Sequence, residues 1–300
     1  MKLRVRTIVI LILYVYFLQC VNSLGDPCPS GCMCVFTDTD CTGLDLQTIP
    51  DRATLRGYTK FLRLDRNLIT RVSRIDLPQL QELYISNNKV KMIDPLALFD
   101  LSKLEILDLS HNDLQLWPSR AFQPLSLIRK VNVAYNRIIH LGAFTFEENL
   151  STKLQFLNFS HNEIESIDNQ AFSDLNSVEH LDLSFNRLTT ISPDMFRTMK
   201  SLKYLNLGHN AIRTTAYQKW PMIVSPMLQE LWLDHNSMTS SEESYLWFDT
   251  PMLKMLNMGY NNIKRLPLRP LDFLSSLEEL HLESTYGFLI TSKPNCHSLQ

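Results

Sequence analysis

Apolar and polar residues follow one arrangement that this chain repeats about ten times: Leu, two variable residues, Leu, one variable residue, Leu, two variable residues and Asn. The clearest copies run from Leu104 to Asn112 and from Val178 to Asn186. The asparagines recur at intervals of 21, 24, 24, 26, 24, 24, 26 and 25 residues, at Asn67, Asn88, Asn112, Asn136, Asn162, Asn186, Asn210, Asn236 and Asn261. A fixed period of this size predicts a solenoid, in which each repeat packs against its neighbours.

Within each repeat, the Leu-x-Leu core predicts a short strand, because alternate residues of a strand point to opposite faces. Leu107 and Leu109 then face the interior, Asp108 faces solvent, and the stacked strands form one parallel sheet. The asparagine is expected to turn the chain off the sheet, since its amide can both donate to and accept from backbone groups. For the return path we expect mostly turns with short helical segments.

An aromatic residue recurs ten to twelve residues after the asparagine in most repeats, in register with the repeat. This recurrence predicts a packed spine on the convex side rather than a cofactor pocket. The aromatic residues concerned are Phe122, Phe146, Phe172, Phe196 and Trp220, together with Phe99, Phe248 and Phe273, which lie one or two residues later.

Four cysteines lie close together before the first repeat, at Cys28, Cys32, Cys34 and Cys41. In a reducing compartment such a group could bind zinc. In a secreted chain it predicts two disulfides. A stapled segment at this place would cover the apolar end of the first repeat, which has no neighbour on that side.

The cap, the repeats of about 24 residues and the recurring Phe resemble the extracellular leucine-rich repeat proteins of animals. That group includes small leucine-rich proteoglycans, Slit-type and Toll-type ectodomains and chondroadherin-like matrix proteins. The resemblance covers residues 28 to about 284. It implies the disulfide pairs Cys28–Cys34 and Cys32–Cys41. It also implies an α/β solenoid in the form of a curved horseshoe with a parallel concave β-sheet.

The two ends of the chain differ from the repeats. Residues 1–23 predict a secretory signal peptide, because a basic start precedes an apolar run, Ile8 to Leu18, that is shorter than the roughly 20 residues a membrane anchor needs. We therefore expect a cap at residues 24–52, repeats at 53–288 and a tail at 289–300. Cys296 is alone in that tail, so either the chain is a fragment that lacks a C-terminal cap or Cys296 pairs elsewhere.

The side chains between the leucines predict a ligand-binding concave face, since aromatic residues dominate the energetics of protein interfaces. The alternative is that Ser-His-Asn and Tyr-Asn are merely common turn sequences of this family. The residues predicted to contact the ligand are Tyr135, Phe185, Tyr204, Trp232, His235 and Tyr260.

Three further features could form sites. His209 and His235 should lie on adjacent strands roughly 5 Å apart, but no Cys or carboxylate motif completes a ligand set, so no metal site is predicted. A basic cluster that includes Arg56, Lys60, Arg63 and Arg66 could bind a sulfated glycan or be a solvated rim. Sequons predict glycosylation at Asn149, in a return loop, and at Asn158, on the concave face.

Composition adds little to this interpretation. The formal charge is −2, or about −5 without residues 1–23, which gives no reason to expect nucleic acid as a partner. No Gly-rich phosphate loop, His-Glu-x-x-His motif or nucleophile elbow is present, so we expect no enzyme and no cofactor. The favoured function is extracellular recognition of a protein or matrix ligand. The alternatives are a structural matrix protein of the small proteoglycan type, or a fragment of a receptor ectodomain.

Overall fold

The computed structural model describes residues 27–143, 145–146, 153–192, 195–213, 223–239, 248–263 and 274–284. The predicted signal segment 1–23, the tail 289–300 with Cys296, and the sequon residue Asn149 lie outside these residues. So do Trp220 and Phe273 of the predicted spine.

One sheet dominates the described residues, and each of its twelve strands is three residues long. The first two strands form an antiparallel hairpin, and every later strand pairs in parallel with the one before it. The strands are Met33–Val35, Asp38–Asp40, Phe61–Arg63, Glu82–Tyr84, Ile106–Asp108, Lys130–Asn132, Phe156–Asn158, His180–Asp182, Tyr204–Asn206, Glu230–Trp232, Met255–Asn257 and Glu279–His281.

The pairing keeps every leucine in register. Leu157 pairs with Val131 on one side and Leu181 on the other, and all three side chains are buried. The flanking residues of each strand point outward, as in Phe156–Asn158. A slip of one residue would expose the whole apolar set, so burial fixes this register. The predicted parallel sheet is confirmed.

The return path contains more strand than was predicted. The described residues include one helix, Ser119–Phe122, which agrees with the expected short helices. They also include three two-stranded parallel sheets that were not expected, formed by Arg71–Val72 with Met92–Ile93, His140–Leu141 with Ser166–Ile167, and Ile223–Val224 with Phe248–Asp249.

The phenylalanine spine is confirmed at its four central positions. Phe122, Phe146, Phe172 and Phe196 are all fully buried. Phe99 is a wrong prediction, because it is 55% exposed and Leu98, which lies ten residues after Asn88, occupies the buried position instead. Arg74 lies over the Phe99 ring, 5.6 Å from its centroid.

Trp117 joins this core although the repeat pattern gave no indication of it. Its ring contacts Phe122, Phe146 and Phe159 with centroid separations of 4.4, 5.0 and 5.2 Å. Its Nε1 donates a hydrogen bond to the carbonyl of Thr145 at 3.2 Å. A buried Trp requires such an acceptor, which the return loop supplies.

The N-terminal cap extends the sheet by a hairpin. Disulfides join Cys28 to Cys34 and Cys32 to Cys41, so the pairing that the resemblance implied is confirmed. Cys41 is fully buried in the core, next to the first repeat. The cap thereby covers the apolar surface that the first repeat would otherwise expose.

The asparagine of each repeat cross-links that repeat to the one before it. Nδ2 of Asn136 donates to the carbonyl of Val133 in its own turn at 3.0 Å and to that of Leu109 in the preceding repeat at 2.9 Å. Its Oδ1 accepts a hydrogen bond from the backbone N–H of Leu114 at 3.0 Å. The same bonds recur in every repeat from Asn67 to Asn261.

We predict that Asn186→Ala lowers the free energy of unfolding by about 2–4 kcal/mol, because buried backbone groups lose their partners. The amide of Asn186 donates to the carbonyls of Phe159, Leu183 and Ser184 and accepts from the N–H of Ile164. Equilibrium denaturation in urea measures the change. Asn176→Ala, at an exposed position, is the control and should have little effect. Equal effects of the two substitutions would contradict the role of the buried amide.

A second prediction concerns the cap. Replacing Cys32 and Cys41 together by Ala should lower the free energy of unfolding by about 2–4 kcal/mol, since the bridge restrains the unfolded chain and Cys41 lies in the core. Peptide mass mapping of the unreduced protein should show the two bridges named above. Four free thiols in the purified protein would contradict this prediction.

Candidate ligand-binding face

Seven aromatic rings form an unbroken stack along one edge of the concave sheet. Each ring lies parallel to the next, with centroids 4.0–4.2 Å apart and interplanar angles of 8–15°. We call this stack the aromatic ladder; its members are His111, Tyr135, His161, Phe185, His209, His235 and Tyr260. Its rings are partly open to solvent, and Tyr135, Phe185 and Tyr260 are 42–51% exposed.

The ladder follows from the turn that the asparagine holds. Each ladder residue directly precedes an asparagine and has a positive φ of 49–55°. Few residues other than glycine adopt this left-handed conformation. The backbone N–H of Tyr135 bonds to the carbonyl of Ser160 in the next repeat, and that of His161 bonds to Ser184. Because every turn has the same shape and the repeats are in register, the side chains superpose and their rings stack.

A second stack crosses the middle of the sheet on the first position of three strands. The ring of His180 lies between Phe156 and Tyr204, with centroid separations of 4.5 and 4.1 Å. The ammonium of Lys130 lies over the Phe156 ring, 4.9 Å from its centroid, where the ring attracts the positive charge. We call Lys130, Phe156, His180 and Tyr204 the strand stack.

Burial within these stacks shifts the acidity of their members. Desolvation is the main cause that lowers the pKa of His161, His180 and His209, so each favours the neutral imidazole. For His180 the neighbouring Asp182 opposes the shift and Lys130 adds to it. Desolvation likewise raises the pKa of Tyr204 to about 12. His161, His180, His209 and Tyr204 therefore favour neutral rings near pH 7.

The structure brings together most of the residues that the sequence predicted to bind a ligand. Tyr135, Phe185, His235 and Tyr260 belong to the aromatic ladder, and Tyr204 belongs to the strand stack. Trp232 lies apart from both, at the outward third position of strand Glu230–Trp232. Strand alternation places Tyr204 and Trp232 on this face, whereas the left-handed turn before each asparagine places the ladder residues there. Their role in binding stays a prediction.

The expectation that no carboxylate completes a ligand set with His209 and His235 is wrong. The carboxylate of Asp234 lies beside both histidines, with Oδ2 2.9 Å from Nδ1 of His235 and 3.6 Å from Nε2 of His209. The sequence alone showed no motif, because the three residues come from two repeats. Comparing the repeats residue by residue would have revealed it, since Asp234 occupies a position where most other repeats have Ser, Ala or Gly.

The N-terminal basic cluster is not a continuous patch. Arg56 is 5% exposed and donates to the carbonyl of Phe36, so its prediction as a surface residue is wrong. Arg63 pairs with Asp38 at 4.0 Å and lies over the ring of Tyr84. Other arginines of the cluster also form ion pairs with carboxylates: Arg52 with Asp76, Arg71 with Asp94 and Arg74 with Asp100. These carboxylates neutralise most of the positive charge that would bind a sulfated glycan. Of the other two basic residues predicted for that site, Arg66 is exposed and Lys60 is partly exposed.

Asn158 occupies the position predicted for it. The side chains of Leu157 and Phe159 on either side are fully buried, and Asn158 points outward from the sheet. Its Oδ1 accepts a hydrogen bond from the backbone N–H of Ser160 at 2.8 Å. Glycosylation at this residue stays a prediction.

Comparison with known proteins agrees with this architecture. The Leucine rich repeat family model matches residues 78–138, 127–188 and 177–219. Mouse Podocan-like protein 1 is 28% identical over 81% of this chain, which spans 43% of that protein. Human Leucine-rich repeats and immunoglobulin-like domains protein 1 is 31% identical over 39% of this chain, which spans 13% of it. The chain thus spans less than half the length of these relatives.

A solved structure of similar fold is a chain of the octameric complex of Latrophilin 3 (Lec, Olf), Unc5D (Ig, Ig2, TSP1) and FLRT2 (LRR). It superposes with a TM-score of 0.68 at 21% identity, over 87% of this chain and 86% of that one. The fold is that of a leucine-rich repeat solenoid, and its repeats carry a disulfide-stapled N-terminal cap. Among the described residues, no helix is both long and apolar enough to cross a membrane.

We predict that acidification destabilises the protein partly through His180. Its pKa is lowered in the folded state from the ordinary 6.5, so the unfolded chain binds the proton more readily. The stability that the neutral ring contributes is therefore complete above pH 6.5 and is lost as the pH falls from 6.5 towards the lower folded-state pKa. His180→Phe keeps the stacked ring and removes the titration. The loss of stability between pH 7.5 and 5.5, measured in urea, should be smaller in this variant.

His281 also contributes to the pH dependence of stability, but it is present in both proteins, so its contribution cancels when His180→Phe is compared with the parent protein. Hydrogen bonding to Glu283 raises the pKa of His281, which changes stability in the opposite direction over the same range. An unchanged pH dependence in His180→Phe would show that His180 titrates as an exposed imidazole.

Proposed function

We propose that this chain is an extracellular recognition module that binds a protein or matrix ligand through its concave face and catalyses no reaction. The aromatic ladder is the observation that supports this proposal. An exposed column of parallel rings offers a large contact area with little side-chain entropy to lose, which is what protein interfaces use. Burial inside the solenoid already accounts for the phenylalanine spine but not for this exposed stack.

The ligand is proposed to contact the C-terminal half of the face. Phe185, Tyr204, Trp232, His235 and Tyr260 lie on the strands and turns of consecutive repeats there, whereas the proposed glycan at Asn158 would obstruct the centre. A solenoid presents such a run of repeats as one continuous surface. A partner in that region would contact side chains from four successive repeats.

Trp232 is proposed as an anchor of this contact because a contribution to folding stability does not explain why a Trp occupies this position. Its indole Nε1 is buried without a hydrogen-bond acceptor, and a donor of that kind costs about 1–3 kcal/mol. The neighbours in register are Asn206 and Asn257, which are polar and smaller. A large aromatic residue that is unfavourable for folding at an outward position is most simply explained by binding.

The proposed extracellular location is supported by the two disulfides of the cap, because such bridges persist in oxidising compartments. The signal segment at residues 1–23 and the sequons at Asn149 and Asn158 fit the same location. A fold of this kind also occurs in the complex that includes Latrophilin 3 and Unc5D, so assembly with other proteins is compatible with it.

The test is a binding screen of the full chain against purified ectodomains and matrix proteins, followed by affinity measurements on variants. Trp232→Ala should weaken binding at least tenfold, or about 1.4 kcal/mol, without lowering the melting temperature. Tyr84→Ala removes an aromatic residue from the same register position in the N-terminal half and is the matched control. Its affinity should equal that of the parent protein.

Ser160→Ala removes the sequon of Asn158 and should leave affinity unchanged. Alanine is tolerated there, because Ala134 occupies the corresponding position of the preceding repeat. The proposal fails if Trp232→Ala binds normally while changes at Phe61, Arg63 and Arg66 abolish binding. In that case the N-terminal end of the face would be the site.

A further inference from the structure

The turn between two repeats in the C-terminal half brings three metal-binding side chains together. His209 and His235 stack in the aromatic ladder with centroids 4.0 Å apart. Asp234 lies against both, and one donor atom from each of the three residues lies within 4.8 Å of the others. This is the one such group of three or more His, Cys, Asp or Glu side chains in the part of the chain that the structure describes.

Asp234 occupies a position that most repeats fill with a small residue. We call the position two residues before each repeat asparagine, or before Thr285 in the last repeat, the turn slot. It holds Ser86, Ser110, Ala134, Ser160, Ser184, Gly208 and Gly259 in seven repeats and an acid at Asp65, Asp234 and Glu283. The repeat fold therefore does not need a carboxylate in the slot.

The preceding repeat makes room for this carboxylate. A Cβ atom placed on Gly208 would lie 2.7 Å from Oδ1 of Asp234, closer than two such atoms can approach. Ser184, at the same slot one repeat earlier, shows that a side chain is otherwise accommodated. Asp234 and Gly208 thus form a matched pair on adjacent turns, which points to a position built for the carboxylate.

The carboxylate lacks a permanent cation. Asp234 is 9% exposed, and no Lys or Arg among the described residues forms an ion pair with it. A buried carboxylate is costly without a compensating positive charge. Neither neighbouring imidazole carries a permanent positive charge, whereas a divalent ion would supply one and bind the same nitrogens.

We propose that His209, His235 and Asp234 form a binding site for a divalent transition-metal ion of the zinc class. Two imidazoles and one carboxylate are a ligand set that Zn²⁺ accepts, with the fourth position left to water or to a group from a partner. Bonds of about 2.1 Å place tetrahedral ligand atoms roughly 3.4 Å apart. The carboxylate already lies 2.9 and 3.6 Å from a nitrogen of each imidazole, so closure mainly requires the two imidazole nitrogens to approach each other.

Closing the site requires one imidazole to leave the stack. The two rings are nearly parallel, at 13°, so their in-plane lone pairs cannot point at one ion. Side-chain exposure of 35% for His209 and 40% for His235 leaves space for a ring to turn on the solvent side. Metal binding should thus disturb the ladder at this step, which provides a second observable besides affinity.

Isothermal titration of the full chain with Zn²⁺ alone tests the site. One ion should bind, and Asp234→Ser should weaken its affinity at least tenfold. Serine is the residue that the turn slot holds in four other repeats, so this variant should fold. His161→Gln is the matched control, because His161 shares the ladder and the turn but has Ser160 and Ser184 as slot neighbours. Its Zn²⁺ affinity should equal that of the parent protein.

Histidine ring signals in NMR spectra provide the second readout. Zn²⁺ should shift the rings of His209 and His235 and leave those of His111 and His161 in place. Three results would overturn the proposal: no binding at 100-fold molar excess of Zn²⁺, unchanged affinity in Asp234→Ser, or an equal loss in His161→Gln. The last result would mean that the ion binds along the ladder rather than specifically at His209, Asp234 and His235.

Discussion

One asparagine amide per repeat, buried or partly buried, holds this molecule together. It bonds to carbonyls of its own turn and of the preceding repeat, as Asn136 does with Val133 and Leu109. Each bond adds little to stability by itself, but an unsatisfied buried backbone group is costly. The turn therefore has one shape throughout the described repeats, and every other regularity of the face depends on that shape.

The aromatic ladder is the clearest consequence. The asparagine turn requires a left-handed residue just before it, and positive φ values occur there from Arg66 to Tyr260. This conformation is unfavourable for most side chains, so the hydrogen bonds of the turn must offset it in each repeat. The result is a column of side chains in identical orientation. The fold fixes the orientation of these side chains but not their identity. Whether they are aromatic depends on the sequence of each repeat.

The repeat period predicted the features that recur and failed where neighbouring repeats meet. The sheet, the asparagine bonds and the buried Phe122 all follow from positions counted within one repeat. Phe99 was misplaced because its repeat puts Leu98 in the buried position. The contact of Asp234 with His209 and the burial of Arg56 under the cap were not predicted. Both depend on how segments far apart in the sequence are placed in space, and the repeat period gives no information about that.

The two proposals concern the same repeats and share His235, but Trp232 and Asp234, whose substitutions test them, lie in separate parts of the repeat. Trp232 lies on the strand and Asp234 in the turn that follows, so one side chain can be changed while the other stays in place. The turn slot tolerates serine and the outward strand position tolerates asparagine, as the neighbouring repeats show. A metal ion at Asp234 would also neutralise a carboxylate beside the proposed ligand contact. If Zn²⁺ and the protein ligand influence each other's affinity, the coupling must be reciprocal, and Asp234→Ser should remove it while leaving the contact of Trp232 intact.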